Sequence, residues 1–138
     1  MREMRAASDG SVSVTQIYKS KWFAKFAREE DISDARLCKA VEDADAGLVD
    51  ADYGGGVIKQ RIARANQGAS GGYRSIILYR RGDRAFFVYG FPKNERANIS
   101  KQEEKEFKEL AKITLALEEE QIARLLETGA YQEVECDD

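Results

Sequence analysis

Tyr73-Arg-Ser-Ile-Ile-Leu-Tyr-Arg80, Arg81-Gly-Asp83 and Arg84-Ala-Phe-Phe-Val-Tyr-Gly-Phe91 follow one another without a break. β-Branched and aromatic residues fill the two outer runs, and a short glycine-containing link between such runs marks an antiparallel hairpin. Upstream, Val57-Ile-Lys-Gln-Arg-Ile-Ala-Arg64 reads as a third strand, joined to the hairpin by the glycine- and serine-rich loop Asn66 to Gly72. The three strands predict an antiparallel meander. Asp50-Ala-Asp-Tyr-Gly-Gly-Gly56, just before them, reads as turn.

The flanks read as two short strands and several helices. Val12 to Tyr18 alternates apolar and polar residues as a strand does, and Trp22, Phe23 and Phe26 then recur at helical spacing as core aromatics. Ser33 fits the N-cap of a helix through Ala46 whose apolar positions are Leu37, Ala40, Val41 and Ala44, with Gly47 as its stop. Ser100-Lys-Gln-Glu103 fits a capping box, opening a helix with Phe107, Leu110, Ala111 and Thr114 on one side. Glu118 to Thr128 is helical up to Gly129, and whether it continues the preceding helix stays open. Tyr131 to Val134 reads as a short terminal strand. The expectation is an α+β domain with a small antiparallel sheet in the order β-α-α-β-β-β-α, spanning residues 12–115. A flexible leader, 1–11, precedes it, and an acidic helical extension, 116–138, follows.

Composition narrows the chemistry. The chain has 138 residues, 43% hydrophobic and 34% charged, which suits one globular domain. The longest strongly apolar run, Ala85 to Phe91, is far below the roughly 20 residues of a membrane span, so no membrane partner is expected. Histidine is absent, and Cys38 and Cys136 lack metal-ligand spacing, so no metal or other cofactor is expected and imidazole bases are excluded. The two cysteines read as unpaired thiols, in keeping with the cytoplasm.

The net charge of -3 conceals a segregation. Residues 59–101 carry 10 Lys+Arg against 2 Asp+Glu, whereas residues 102–138 carry 4 against 12. A cationic block inside an acidic protein suits a polyanion-binding face, and the acidic end is a candidate mask for it. A solvated mixed-charge surface is the plainer alternative.

Strand alternation places Ile58, Gln60, Ile62 and Arg64 on one side and Val57, Lys59, Arg61 and Ala63 on the other. Lys59 and Arg61 then stand about 6.6 Å apart along an open face. Their repulsion, roughly 2.5 kcal/mol at an effective dielectric near 20, would lower a partly buried lysine by just under two pKa units and make it a usable base. Arg74 opens the next strand, and Lys93, Asn94 and Arg96 sit in the loop leaving the last one; arginine forks among them suit bidentate phosphate binding. Alternation puts Arg74 beside Ile76 and Leu78, both read as core, so its access to the open face calls for a twist or bulge at Gly72. Tyr89 is the aromatic singled out for base stacking. Gly54-Gly55-Gly56 lacks the following helix of a phosphate loop, and Asp43/Asp45 and Asp50/Asp52 read as solvated loop carboxylates.

Three segments carry a family resemblance: Gly-Gly-Gly-Val-Ile-Lys-Gln-Arg (54–61), Gly-Gly-Tyr-Arg-Ser-Ile-Ile-Leu-Tyr (71–79) and Phe-Phe-Val-Tyr-Gly-Phe-Pro-Lys-Asn-Glu-Arg (86–96). With the element order, they make the chain from Val12 to Leu110 similar to the RelE/HigB branch of bacterial toxin–antitoxin toxins. The resemblance implies helices on one sheet face and a basic concave face opposite. Such toxins cut mRNA in the ribosome without a metal, by attack of the ribose 2'-hydroxyl on the adjacent phosphate, and act in the cytoplasm. Carried over, Lys59 abstracts the proton with Arg61 beside it, Arg74 supports the phosphate and Lys93 aids the leaving 5'-oxygen. Arg64, Tyr89, Asn94 and Arg96 contact RNA, and a cognate antitoxin, mRNA and the ribosome are the implied partners. The oligomeric state stays open. One departure is that Ala97-Asn98-Ile99 holds neither the tyrosine nor the histidine that many relatives place near the last helix. That gap motivates two alternatives: a non-nucleolytic protein, either a ParE-like gyrase inhibitor or a degenerate antitoxin-binding protein, and a plain RNA-binding module.

Overall fold

The computed structural model describes residues 14–63 and 72–136, so the leader, Arg64 and most of the loop from Asn66 lie outside the described residues. In chain order the elements are β1 (Gln16–Ser20), α1 (Lys21–Glu29), α2 (Asp34–Asp45), β2 (Ala51–Gly54), β3 (Val57–Ile62), β4 (Tyr73–Arg80), β5 (Arg84–Pro92), α3 (Lys101–Thr114), α4 (Glu119–Thr128) and β6 (Tyr131–Glu133). The class is α+β, as the sequence predicts.

Local chemistry sets the boundaries. Ser20 caps α1 by accepting a hydrogen bond from the Phe23 amide at 3.0 Å. The capping box of α3 forms in full: Ser100 Oγ accepts from the Glu103 amide at 3.0 Å, and Glu103 Oε1 accepts from the Ser100 amide at 2.7 Å. Gly129 ends α4 with a φ of 82°. The helices α3 and α4 are separate, because the chain turns between Thr114 and Glu119.

The strands pair in the order β2-β3-β4-β5-β1-β6. The meander β3-β4-β5 is antiparallel throughout, and the Arg81–Asp83 turn joins β4 to β5 as a hairpin. Two features differ from the sequence reading. β1 lies parallel to β5, which makes the sheet mixed, and it begins at Gln16, later than expected, where pairing with Arg84 starts. Ala51–Gly54, read as turn, is itself a strand paired to β3, with the glycine run as the tight turn between them. Gly54, Gly55 and Gly56 have φ of 84°, 62° and 84°, a left-handed backbone that glycine adopts without strain.

Alternation along β3 and β4 sorts the core into two layers. Ile58, Ile62, Tyr73 and Ile77 face α1 and α2, where they meet Phe23, Leu37 and Val41. Val57, Ile76, Leu78 and Phe86 belong to a second cluster with Ala111, Leu115 and Ile122 of the C-terminal helices. Helices therefore cover both faces, not one. The second face is apolar along half its length, and that half has to be sheltered from water. Of the three α1 aromatics, Phe23 and Phe26 are core, but Trp22 is about half exposed, stacking on Phe26 and packing at a tilt on Tyr89 at ring-centroid distances of 5.5 and 4.8 Å.

Candidate functional site

The second face is covered at one end and bears charge at the other. Across β3 and β4, Val57 pairs with Leu78, Lys59 with Ile76 and Arg61 with Arg74. Moving along the strands, the same face thus passes from aliphatic to cationic within five residues. Arg74 does lie on the side of Ile76 and Leu78, as alternation predicts. It needs no bulge at Gly72, because its partner across β3 on this face is Arg61, with Lys59 next along that strand. The register shift in this part of the sheet is on the β5 side, between the partners of Ile76 and Ile77.

One carboxylate organises the cations. Asp50, in the loop between α2 and β2, accepts from Arg61 Nε at 3.4 Å, and its Oδ2 lies 3.2 Å from Arg74 Nε and 3.8 Å from Lys59 Nζ. The sequence reading took Asp50 for a solvated loop residue; its side chain is 17% exposed, and that reading is corrected. Asp52 fits the description better, since it is exposed and accepts from the Gly54 amide at 2.8 Å. Among the cations, Arg61 is 54% exposed, Lys59 12% and Arg74 8%. Arg74 Nη1 is buried with no hydrogen-bond partner among the described residues. Asp50 also offsets the Lys59–Arg61 repulsion, on which the expectation of a base-competent lysine rested.

Gln60, on the opposite face of β3, fixes the loop that carries Asp50. It is buried, donates to Ala40 O at 2.9 Å and Leu48 O at 2.8 Å, and accepts from the Asp50 amide at 3.0 Å. Both donor hydrogens and the acceptor oxygen of the Gln60 side-chain amide are thus turned to holding α2, the loop and the strand together.

The loop leaving β5 returns to the cluster. Lys93 and Asn94 are exposed in the turn, with the Lys93 amide donating to Gly72 O at 3.2 Å, so they lie at the Arg74 end of the sheet. Lys59 Nζ reaches Ala97 O at 3.4 Å. Arg96 makes its contacts elsewhere: it donates to Glu103 at 2.7 Å and to the Tyr89 hydroxyl at 3.2 Å, and its guanidinium lies 5.3 Å from the Phe91 ring centre. Tyr89 packs against Trp22, Phe91 and Phe107. The structure thus gathers Lys59, Arg61 and Arg74 in one cluster and Tyr89 with Arg96 in a neighbouring one.

Sequence reasoning missed Tyr53. Its hydroxyl donates to Asn98 Oδ1, which places a tyrosine from β2 at the Ala97-Asn98-Ile99 segment before α3. Burial first, then the charges of Glu104 and Asp50, push this hydroxyl above the ordinary tyrosine range. No spacing in the chain signals this, because the contact spans 45 residues.

The acidic end does not pair with the cluster among the described residues. Its carboxylates go to other members of the basic block, Glu119 to Arg84 at 3.3 Å and Glu103 to Arg96 at 2.7 Å. The cysteines are not free thiols. Cys38 on α2 and Cys136 after β6 form a disulfide with Cα atoms 5.9 Å apart, so the localisation argument built on unpaired thiols falls. Among the described residues no His/Cys/Asp/Glu group is arranged to hold a metal, and no helix is long and apolar enough to cross a membrane.

The family model described as the RelE toxin of the RelE / RelB toxin-antitoxin system matches residues 15–134. The match runs from just before β1 to just after β6 and so takes in the whole described sheet and all four of its helices. No curated protein gives a significant match.

Proposed function

Since the chain belongs to the RelE toxin family and is a toxin of a toxin–antitoxin system with an antitoxin partner, we propose that it acts as a metal-independent endoribonuclease on ribosome-bound mRNA in the cytoplasm. The observation that carries this reading is the convergence of Lys59, Arg61 and Arg74 on Asp50 at the cationic end of a sheet face. Three cations around one carboxylate leave a surplus of positive charge where a phosphodiester can sit, and guanidinium forks match phosphate oxygens in pairs.

In the proposed reaction the 2'-hydroxyl gives its proton to the Lys59 amine and its oxygen attacks the adjacent phosphorus. Arg61 and Arg74 neutralise the charge that gathers on the non-bridging oxygens. The bond to the 5'-oxygen breaks, that oxygen takes a proton from Lys93, and the products are a 2',3'-cyclic phosphate and a 5'-hydroxyl end. Tyr89, Asn94 and Arg96, with Arg64 from outside the described residues, bind flanking RNA.

Primer extension on cellular mRNA after brief induction, with growth followed in parallel, tests the reading. Cuts inside translated codons in the wild type that vanish in Lys59→Ala are the expected result. Growth arrest with intact mRNA and accumulating DNA damage would replace it with a ParE-like action on gyrase.

A further inference from the structure

Resting on the phosphodiester reading above, the geometry points to Asp50 as a positioning residue that turns Arg61 and Arg74 toward a single phosphodiester.

A guanidinium has two usable edges, each able to grip phosphate in a pair, and the outer one is made by its two terminal nitrogens. Asp50 engages both arginines through Nε, at 3.4 Å for Arg61 and 3.2 Å for Arg74. Anchored in this way, each arginine keeps its terminal nitrogens for a ligand. Arg74 carries this furthest: its side chain is more than nine-tenths buried, and its Nη1 has no hydrogen-bond partner among the described residues. Leaving a buried guanidinium nitrogen unpaired is costly, and a phosphate oxygen relieves that cost.

The opposite reading makes Asp50 a plug, a carboxylate occupying the phosphate position until substrate displaces it. Two observations favour positioning. The Asp50 amide is held by Gln60 Oε1 at 3.0 Å, and Gln60 is itself tied to α2 and the loop by two further hydrogen bonds. A displaceable group would not be built on so fixed a backbone. Asp50 also meets both arginines at Nε, which leaves the outer edge of each for a ligand.

The two readings differ in the sign of one effect. Removing a carboxylate makes the site more cationic, so a plug or a bystander charge predicts that Asp50→Ala binds anions more tightly. A positioning residue predicts weaker binding, because the freed guanidiniums lose their aim.

The test uses the full chain at low ionic strength, with inorganic phosphate and a short 2'-O-methyl RNA as probes; the RNA has its attacking hydroxyl capped and cannot be cut. Calorimetric titration of the wild type, Asp50→Asn and Asp50→Ala is expected to give about tenfold weaker binding of both probes in Asp50→Ala. Asp50→Asn, which keeps one acceptor oxygen and the side-chain shape, should fall between, and it carries the test if Asp50→Ala melts early. Equal or tighter binding in a folded variant overturns the inference, as does a wild type that binds neither probe. If the expected order of affinities holds while the wild type leaves mRNA intact in a translating extract, the positioning role stands and the nuclease reading falls.

Discussion

Arg96 Nη2 stands 2.7 Å from Glu103 Oε1, and the same carboxylate oxygen accepts from the Ser100 amide at 2.7 Å, so one side chain both caps α3 and anchors the loop that leaves β5. The Arg96 bond, followed by those from Ser100, holds the Glu103 carboxyl down to about 2 from an ordinary 4.5. A carboxyl lowered in the folded state stabilises fully above its unfolded value and loses that contribution as the pH falls toward the folded one. Glu103→Gln should therefore cost stability at neutral pH, and its difference from the wild type should shrink between about pH 4.5 and pH 2. The side chain is 31% exposed, so screening reduces the loss to about 1 kcal/mol at neutral pH, or a few degrees in Tm. Thermal melts of both proteins across that pH range check it; a difference that does not change with pH would dissociate the cap from the ion pair.

The Cys38–Cys136 disulfide ties the chain end to α2 across a sequence separation of 98 residues. Restricting so long a loop in the unfolded chain is worth about 4–5 kcal/mol on the chain-entropy account. Reduction with dithiothreitol, or the Cys136→Ser substitution, should lower Tm by the same large amount, while reduction of the substituted protein should change nothing. A wild-type melt indifferent to reductant would show that the bond is not formed in solution.

The strands of the meander, the capping box, the α4 stop and the sidedness of β3 were all readable, because each is written in neighbouring residues: a period of two, a Ser-x-x-Glu, a terminal glycine. What escaped the sequence is non-local. The run Ala51–Gly54 looks like turn until β3 offers it a partner, and the same glycines that suggest a loop are the hairpin turn. The parallel pairing of β1 with β5 joins segments some 70 residues apart and leaves no mark on either. At the site, the three cations were legible as a basic block with strand spacing. Asp50 was not, since nothing in Val49-Asp50-Ala51 indicates that its carboxylate will meet Lys59, Arg61 and Arg74. The exposure of Trp22 likewise depends on where α1 meets the end of β5, not on its helical spacing.

Gly56 joins two constraints that a side chain would violate together. Its φ is 84°, and an added Cβ would lie 2.6 Å from Leu115 Cδ1 at the end of α3. Gly56→Ala should destabilise the fold by about 2–3 kcal/mol, from left-handed strain plus overpacking. Pairing it with Leu115→Ala should not restore the wild-type melt, because the backbone strain remains and a core side chain is lost. Chemical denaturation of the two variants measures the split, and a neutral Gly56→Ala would mean that the β2-β3 turn relaxes freely.

Burial ranks the arginines of the candidate site. Arg74 is 8% exposed with Nη1 unpartnered among the described residues, whereas Arg61 is 54% exposed and its charge is shared with solvent. Electrostatic stabilisation of a developing charge is strongest where water is excluded, and one lost donor in such a setting costs about 10²–10³ in rate. Cleavage by Arg74→Ala should therefore fall by at least about a hundredfold, and by Arg61→Ala by about tenfold or less. Arg74→Lys should recover little of the loss, since an ammonium cannot hold Asp50 through Nε and present a two-nitrogen fork at once. Single-turnover cleavage of a ribosome-bound message by the three variants would establish the order, and an Arg61→Ala defect as deep as that of Arg74→Ala would place the reacting phosphate toward solvent instead of over the buried guanidinium.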